Sequence, residues 1–198
     1  GGARNVGINN CSGKFICFLD DDDYYLEDHL LNIQRKIKQI GDEFGIIFTQ
    51  PISQNKNGLI IKRNLNLYSG TNPVEYLFHH KNGIPTPRVC IPKRILKKTK
   101  FNPNIKIGQD TELFMRIALN NEIFYLKTHT AVQVKHDDNS GDLKYNSGLA
   151  RLEGYKYIFS NKELNKKISR NLKNYMISYC YRRMCDHYNF TNQSSKCL

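Results

Sequence analysis

The chain has 198 residues, with 30 Lys+Arg, 18 Asp+Glu, a formal net charge of +12 and 39% hydrophobic residues. This composition excludes a wholly disordered or collagen-like chain, and no apolar run approaches the ~20 residues that would cross a bilayer. The six Cys show no CxxC spacing, which argues against a structural zinc site, and reduced thiols in a cytoplasmic protein fit better than a disulfide framework.

The first elements follow one another as strand, acidic turn and helix. Residues 3–11 predict a short helix, and residues 14–19 (KFICFL) predict a buried strand of the parallel-sheet type. Four consecutive aspartates come directly after that strand. Apolar residues then recur every three or four positions, which predicts a helix over 26–40 with one buried stripe. The stripe consists of Leu26, Leu30, Ile33, Ile37 and Ile40.

Strands and helices continue to alternate, which indicates an α/β domain. The pattern predicts a buried strand over 45–50, a polar turn over 54–58 and an apolar stretch over 59–61. Further along it predicts a short helix at 74–79, a strand at 88–91, an amphipathic helix at 109–119, and extended segments at Ile123–Leu126 and Ala131–Val134.

The last part of the chain is helical in pattern and basic. Residues 142–198 hold 11 Lys+Arg and 4 Asp+Glu, a net charge of +7. We therefore divide the chain into an α/β domain over 1–145 and a basic helical C-terminal extension over 146–198. Such a basic surface suits nucleic acid, an anionic membrane or a phosphorylated substrate, and a merely solvated basic surface is the alternative.

The four aspartates of the sequence FLDDDDYY carry the strongest chemical signal. Adjacent carboxylates raise one another's pKa values unless a cation or hydrogen-bond donors offset their charge. Side chains two apart on an extended backbone point the same way, so Asp20 and Asp22 can converge on one ion. Oxygen ligands at the end of a strand favour Mg²⁺ or Mn²⁺ and leave positions for substrate phosphates. The alternative is that one aspartate caps the next helix and the others are solvated.

The segment GGARNVGINNCSGKFICFLDDDDYY (1–25) resembles the central motif of the family 2 glycosyltransferases of the GT-A fold. The resemblance implies a GT-A-like, Rossmann-like mixed sheet flanked by helices, with the C-terminal helical tail added to it. It also implies that Asp20 and Asp22 are a DxD pair, whose Mn²⁺ or Mg²⁺ holds the diphosphate of a nucleotide-sugar. Arg4, Asp21 and Asp23 then become candidates for donor binding.

A second segment, IGQDTELFMRIAL (107–119), resembles the part of that family in which an acid precedes a helix. The resemblance implies that Asp110 is the general base of an inverting transfer, with Glu112 as the substitute candidate. A simple helix cap is the alternative for Asp110. By the same resemblance His136 is a donor-binding candidate, and Thr86, Arg88 and Glu112 are acceptor-binding candidates.

The implied activity is an inverting, metal-dependent glycosyl transfer from a UDP-sugar to a glycan or lipid-linked acceptor, as in cell-surface polysaccharide synthesis. The expected location is cytoplasmic, with the basic tail touching the inner face of the membrane and with no nucleic-acid partner. A noncatalytic relative or a basic nucleic-acid-binding module are the alternatives. Relatives begin with further nucleotide-binding strands, so residues 1–198 alone are expected to bind nucleotide poorly and to leave a sheet edge unpaired.

Overall fold

The computed structural model of the protein describes residues 1–65, 72–79, 83–135 and 147–190, without the side chains of Ser147 and 186–190. Eight strands and eight α-helices lie in these ranges. The strands are β1 Phe15–Cys17, β2 Tyr24–Tyr25, β3 Ile46–Thr49, β4 Ile52–Gln54, β5 Ile60–Lys62, β6 Val89–Pro92, β7 Ile123–Leu126 and β8 Ala131–Val134. The helices are α1 Gly2–Asn10, α2 His29–Ile40, α3 Pro73–Phe78, α4 Lys93–Lys98, α5 Gln109–Ala118, α6 Ser147–Ser160, α7 Lys162–Lys166 and α8 Arg170–Phe190. A 3-10 turn, Thr86–Arg88, precedes β6.

The strands form two four-stranded mixed sheets, so the predicted mixed α/β architecture is confirmed. The larger sheet has the order β1-β6-β3-β7, and only its β3–β7 pair is parallel. The smaller sheet has the order β2-β8-β4-β5, and only its β4–β8 pair is parallel. Among the described residues, no helix is both long enough and apolar enough to cross a bilayer.

The parallel partner predicted for the first strand is wrong in the described sheet, because β1 pairs antiparallel with β6. The strand is also less covered than its apolar sequence predicts, because only Ile16 of its three residues is buried and Leu19 is 50% exposed. The strand β3 behaves as its sequence predicts. All four of its residues are buried, and it lies between β6 and β7 in the sheet.

The predicted stripe on the second helix is only partly correct. The helix α2 begins at His29, so Leu26 lies before it, and Leu30 is 58% exposed. His29 is fully buried and Ile33 is 4% exposed. Because positions four apart share a helix face, His29 takes the place above Ile33 that the apolar pattern assigns to Leu30.

The helices after residue 147 share a hydrophobic core with the preceding α/β part. Tyr155 of α6 and Met176 of α8 belong to the same cluster of buried side chains as Phe48 and Phe114. Tyr155 contacts Phe78 of α3 with ring centroids 5.0 Å apart. The boundary predicted near 145 lies outside the described residues, and the division into two units stays a prediction.

His29 gives the first testable prediction, a pH dependence of stability. Its Nδ1 lies 2.8 Å from Thr130 Oγ1, its ring stacks on Tyr25, and burial lowers its pKa to about 4 against an opposing effect of Asp28. In the unfolded chain the ring protonates near pH 6.5. We therefore expect the free energy of unfolding to fall by about 2 kcal/mol between pH 7 and pH 5.

The measurement is urea denaturation at both pH values, with His29→Gln as the matched variant. The variant lacks the titrating ring, so its loss of stability between the two pH values should be smaller by that amount. Equal losses in the two proteins would show that other groups cause the acid sensitivity.

Candidate functional site

The register of the larger sheet brings three distant segments to one place. Cys17 of β1 lies opposite Cys90 of β6, and the two strands run in opposite directions. The end of β1, where the acidic turn starts, is therefore beside the beginning of β6 and the 3-10 turn before it. The N-terminus of α5 meets the same place, because Asp110 accepts a hydrogen bond from the backbone N–H of Thr86.

Arg4 of α1 holds the first aspartate of the acidic turn. Its Nη2 donates to Asp20 Oδ1 at 2.7 Å, and the two side chains are 30% and 38% exposed. The Arg4 guanidinium also lies over the ring of Phe101, 5.8 Å from the centroid. A planar guanidinium held on two sides keeps one orientation, so Arg4 fixes the direction of the Asp20 carboxylate.

Asn5 anchors the part of α1 that carries Arg4. Its side-chain amide donates to the carbonyl of Phe101 at 2.9 Å and accepts from the N–H of Phe101 at 3.0 Å. The Phe101 ring packs edge-on against Phe18, with centroids 5.7 Å apart. These contacts join α1, the segment after α4 and the end of β1 into one unit. The Arg-Asn pair of the sequence therefore supports the acidic turn from behind.

Asp110 lies in the first turn of α5, close to Arg4 and Asp20. The residue before this helix, Gly108, has φ +87°, and no side chain caps the helix there. Burial raises the pKa of the Asp110 carboxyl. Arg4 and the backbone N–H groups of Asp110 and Thr86 act in the opposite direction, while Asp20 raises the pKa further. The carboxyl is thus oriented by backbone donors and lies within the electrostatic reach of the Arg4–Asp20 pair.

Asp23 closes the acidic turn and connects it to the smaller sheet. Its N–H donates to the carbonyl of Asp20 at 3.2 Å, and its Oδ1 accepts from the N–H of Val134 at 3.0 Å. Burial raises the pKa of Asp23, while the Val134 hydrogen bond opposes that change. The side chain is used to hold the turn against β8, and its predicted contact with the donor stays a prediction.

Asp21 and Asp22 are exposed at the outer side of the turn. Among the described residues, no group of three or more His, Cys, Asp and Glu side chains is arranged to hold a metal ion. A pair of carboxylates is still a suitable donor set for Mg²⁺, which usually takes one or two protein carboxylates and completes its shell with water and substrate phosphates. Asp20 and Asp22 would supply the two carboxylates of such a site, and the Arg4 bond engages Oδ1 of Asp20. The backbone at 20–23 is a turn closed by the Asp23 N–H and the Asp20 carbonyl, and not the extended segment expected from the sequence, so the convergence of the two side chains on one ion stays a prediction.

The predicted acceptor residues point into the protein. Thr86 is fully buried, and its Oγ1 has no hydrogen-bond partner within the described ranges. Glu112 is 6% exposed and forms a double hydrogen bond with Arg116, at 2.6 and 2.8 Å. Of Thr86 and Glu112, only Thr86 is shown to contact the site, through its backbone N–H. The acceptor-binding roles of both residues stay predictions.

Arg88 supports the site from inside. It is 1% exposed, its Nε and Nη2 donate to the carbonyl of Thr49, and its Nη1 donates to the carbonyl of Gly83 at 3.3 Å. Burial lowers its pKa to about 10, so the guanidinium remains charged at neutral pH. Arg88 thereby ties the 3-10 turn to the end of β3, and a direct acceptor contact stays a prediction.

A second prediction follows from this burial. Arg88→Met is expected to lower the free energy of unfolding by about 3 kcal/mol, because the buried carbonyl of Thr49 loses both of its charged donors. The matched control is Arg94→Met, since Arg94 forms an exposed pair with Glu43 and should cost less than about 1 kcal/mol. Chemical denaturation of the two variants makes the comparison. Equal losses would contradict the structural role of Arg88.

His136, the remaining donor-binding candidate, lies outside the described residues. Three contributors near the site were not singled out from the sequence: the Phe101 ring, the Thr86 N–H and the Val134 N–H. Backbone groups leave no trace in a sequence, so the two N–H groups could not have been found. Asn5, next to Arg4, was a signal for a backbone contact at this place, because Asn side chains often form hydrogen bonds with backbone groups.

One small cavity lies beside the start of α5 in the described part of the chain. The space beside the start of α5 has a volume of about 60 Å³, and its lining includes Gly108, Thr111 and Arg151. Sites for small molecules usually have ≈ 300–1,000 Å³, so a nucleotide-sugar cannot enter this space.

Comparison with known proteins gives an independent description of this region. The model of Glycosyl transferase family 2 matches residues 1–124, which include the acidic turn and Asp110. An uncharacterized glycosyltransferase of Rickettsia felis is 30% identical over 158 residues, covering 77% of this chain and 25% of that protein. The amylovoran biosynthesis glycosyltransferase AmsB of Erwinia amylovora is 29% identical over 119 residues, covering 58% of this chain and 40% of AmsB.

A solved structure shares the fold at low sequence identity. The S. aureus TarS 1-349 structure in complex with UDP-GlcNAc has a TM-score of 0.52 and 17% identity, with 94% of this chain and 51% of that chain covered. A second structure of S. aureus TarS 1-349 has a TM-score of 0.51. The chain therefore spans from a quarter to half the length of these proteins, and the likeness to TarS concerns the fold.

Proposed function

Because this chain belongs to glycosyltransferase family 2, we propose that it carries the reaction centre of an inverting, metal-dependent transfer of a sugar from a nucleoside-diphosphate donor to a hydroxyl acceptor. One observation supports this best. The Arg4–Asp20 ion pair and the Asp110 carboxyl lie within electrostatic reach of each other, although they come from α1, the end of β1 and α5. Such a convergence is unnecessary if each acid only caps a helix.

The proposed role of Asp110 is to accept the proton of the attacking hydroxyl. A general base must be oriented and must be ionised at the working pH. The backbone N–H groups at the start of α5 and in the 3-10 turn orient the carboxyl. Burial raises its pKa and makes it a stronger base, while the charge of Arg4 keeps that increase limited. An acid that accepts a proton without forming a bond to the sugar leads to a single displacement, and hence to inversion.

Asp20 and Asp22 are the proposed holders of a Mn²⁺ or Mg²⁺ ion beside the donor diphosphate. When bound, this ion supplies positive charge that stabilises the departing nucleoside diphosphate. Arg4 keeps Asp20 oriented, and Asp23 holds the turn to β8. Arg4 and Asp21 are the proposed additional contacts of the donor. A UDP-sugar is the donor class we propose, with the UDP-GlcNAc complex of TarS as support.

The proposed acceptor is the hydroxyl of a glycan or a lipid-linked sugar in polysaccharide synthesis. The name of AmsB, which assigns that relative to amylovoran biosynthesis, supports this class. The open surface over the acidic turn also suits a large acceptor, because an extended glycan does not need a closed pocket.

The test is a donor screen on the protein translated from the whole open reading frame, side by side with residues 1–198. Release of nucleoside diphosphate is followed with Mn²⁺, with Mg²⁺ and with a chelator, and the anomeric configuration of the product is read by NMR. Metal-dependent release with an inverted product supports the proposal. A retained configuration, or turnover unchanged by the chelator, contradicts its inverting or metal-dependent part.

A further inference from the structure

The hairpin of β4 and β5, residues 52–62, extends an apolar tip into solvent. Its three consecutive aliphatic side chains are exposed: Leu59 by 62%, Ile60 by 42% and Ile61 by 42%. Adjacent residues of a strand point to opposite faces, so Ile60 and Ile61 are exposed on both faces of β5. Among the strands that the structure describes, β5 is also the last of its sheet. Isolated apolar residues are common on surfaces, but three in a row on an edge strand call for an explanation.

Hydrogen bonds within the turn of the hairpin define its conformation. Asn55 Oδ1 accepts hydrogen bonds from the N–H groups of Asn57 at 3.0 Å and Leu59 at 2.9 Å. Gly58 has φ +78°, a conformation that glycine adopts easily. These hydrogen bonds reduce the conformational freedom that the tip has to lose on binding.

Basic residues lie in the turn of the hairpin and at its base, while Asp20–Asp23 lie at the other edge of the same sheet. Lys56, Lys62 and Arg63 are exposed on or next to the hairpin. Between Glu43 and Glu75 the sequence contains no Asp or Glu. A short aliphatic tip with a basic surround is the combination that binds an anionic bilayer surface, where the tip enters the interface and the cations meet lipid headgroups.

The charges also argue against a second copy of the chain as the occupant. Two β5 strands paired edge to edge would bring Lys62 and Arg63 of each copy close together, in chains with a net charge of +12. Like charges on paired strands are destabilising, and lysines on an edge strand oppose such pairing. An anionic lipid surface instead complements these charges.

We propose that the β4–β5 hairpin docks the protein on anionic lipid bilayers. The hairpin and the acidic turn belong to one small sheet, since β2 follows the turn directly and β5 is the opposite edge strand. Three strand spacings separate β2 from β5, about 14 Å. Docking therefore brings the acidic turn near the lipid surface without burying it. The proposal stands independently of the proposed transferase activity.

The experiment is flotation of the 198-residue chain with vesicles of phosphatidylcholine alone or with about one quarter phosphatidylglycerol. We expect binding to the anionic vesicles only, weakened by high salt. The double variant Ile60→Ser/Ile61→Ser should lower the partition coefficient by about tenfold, because the apolar tip no longer enters the interface. Lys62→Glu/Arg63→Glu should lower it by a similar factor through charge.

The matched control is Leu30→Ser/Leu31→Ser, which removes two exposed leucines, 58% and 44% accessible, from α2. This control should float like the unchanged chain, and melting curves verify that every variant is folded. Unchanged flotation of the Ile60→Ser/Ile61→Ser variant would assign binding to the basic C-terminal helices and overturn the proposal. A second result would also overturn the proposal: no protein floats with the vesicles, and light scattering shows a dimer that the Ile60→Ser/Ile61→Ser variant no longer forms.

Discussion

Asp110→Asn is expected to lower kcat for glycosyl transfer by about 10²–10⁴-fold, the contribution of a well-placed general base. The amide keeps the size of the side chain and can still bond to its neighbours, but it cannot accept the proton of the acceptor hydroxyl. The KM for the donor should change little, because the donor diphosphate is assigned to the acidic turn. Initial rates of nucleoside diphosphate release at varied donor and acceptor concentrations separate the two effects.

The pH profile provides a second measure of the same group. The active form of Asp110 is the carboxylate, and burial raises its pKa. Activity should therefore decrease on the acid side at a higher pH than for an ordinary aspartate. Because Arg4 lowers this pKa, Arg4→Gln should move the acid limb to still higher pH. A limb that stays in place in Arg4→Gln would show that another group titrates.

Glu112→Gln is the control that distinguishes the two acids of the same helical turn. Glu112 is bound by Arg116 through two hydrogen bonds, and its loss should act mainly on stability. A decrease in kcat as large as that of Asp110→Asn, with folding intact, would transfer the role of base to Glu112. If the protein is a noncatalytic relative, neither the unchanged chain nor the two variants will show glycosyl transfer.

Local patterns predicted most of the elements. The amphipathic spacing after residue 109 predicted α5, and two short apolar runs predicted β7 and β8 with the bounds that the structure gives. The helix α4 was missed because its six residues, KRILKK, contain only two apolar side chains and therefore show no periodicity. Strand partners and directions were beyond reach, since pairing depends on contacts between residues far apart in the sequence.

The sequence allowed the residues of the candidate site to be predicted, but not their positions and orientations relative to one another. The motif around Arg4 and the four aspartates named the elements that the fold brings together. Which way each side chain points depends on tertiary contacts. Arg88 shows this well, because its guanidinium turns inward to the carbonyls of Thr49 and Gly83, and no local pattern reports a buried carbonyl without a donor.

Asp22→Asn is expected to reduce metal-dependent donor turnover by about 10²–10³-fold, since a bound cation contributes several kcal/mol of charge stabilisation. The amide keeps one oxygen and loses the negative charge, so the affinity for Mn²⁺ should decrease while the fold persists at this exposed position. The measurements are turnover as a function of Mn²⁺ concentration and calorimetric titration of Mn²⁺ in the presence of nucleoside diphosphate.

Asp21→Asn is the comparison variant, because it removes the same charge from the adjacent exposed position of the turn, which the proposal assigns to a donor contact and not to the metal ion. If only the total negative charge of the turn mattered, the two variants would lose the same fraction of activity. The proposed pair instead requires the loss at Asp22 to be much larger. Asp20→Asn should lose activity as well, and in addition Arg4 loses its ion pair, so the acid limb of the pH profile should also shift in that variant. Equal Mn²⁺ dependence in Asp22→Asn and Asp21→Asn would remove the basis for a cation held by Asp20 and Asp22.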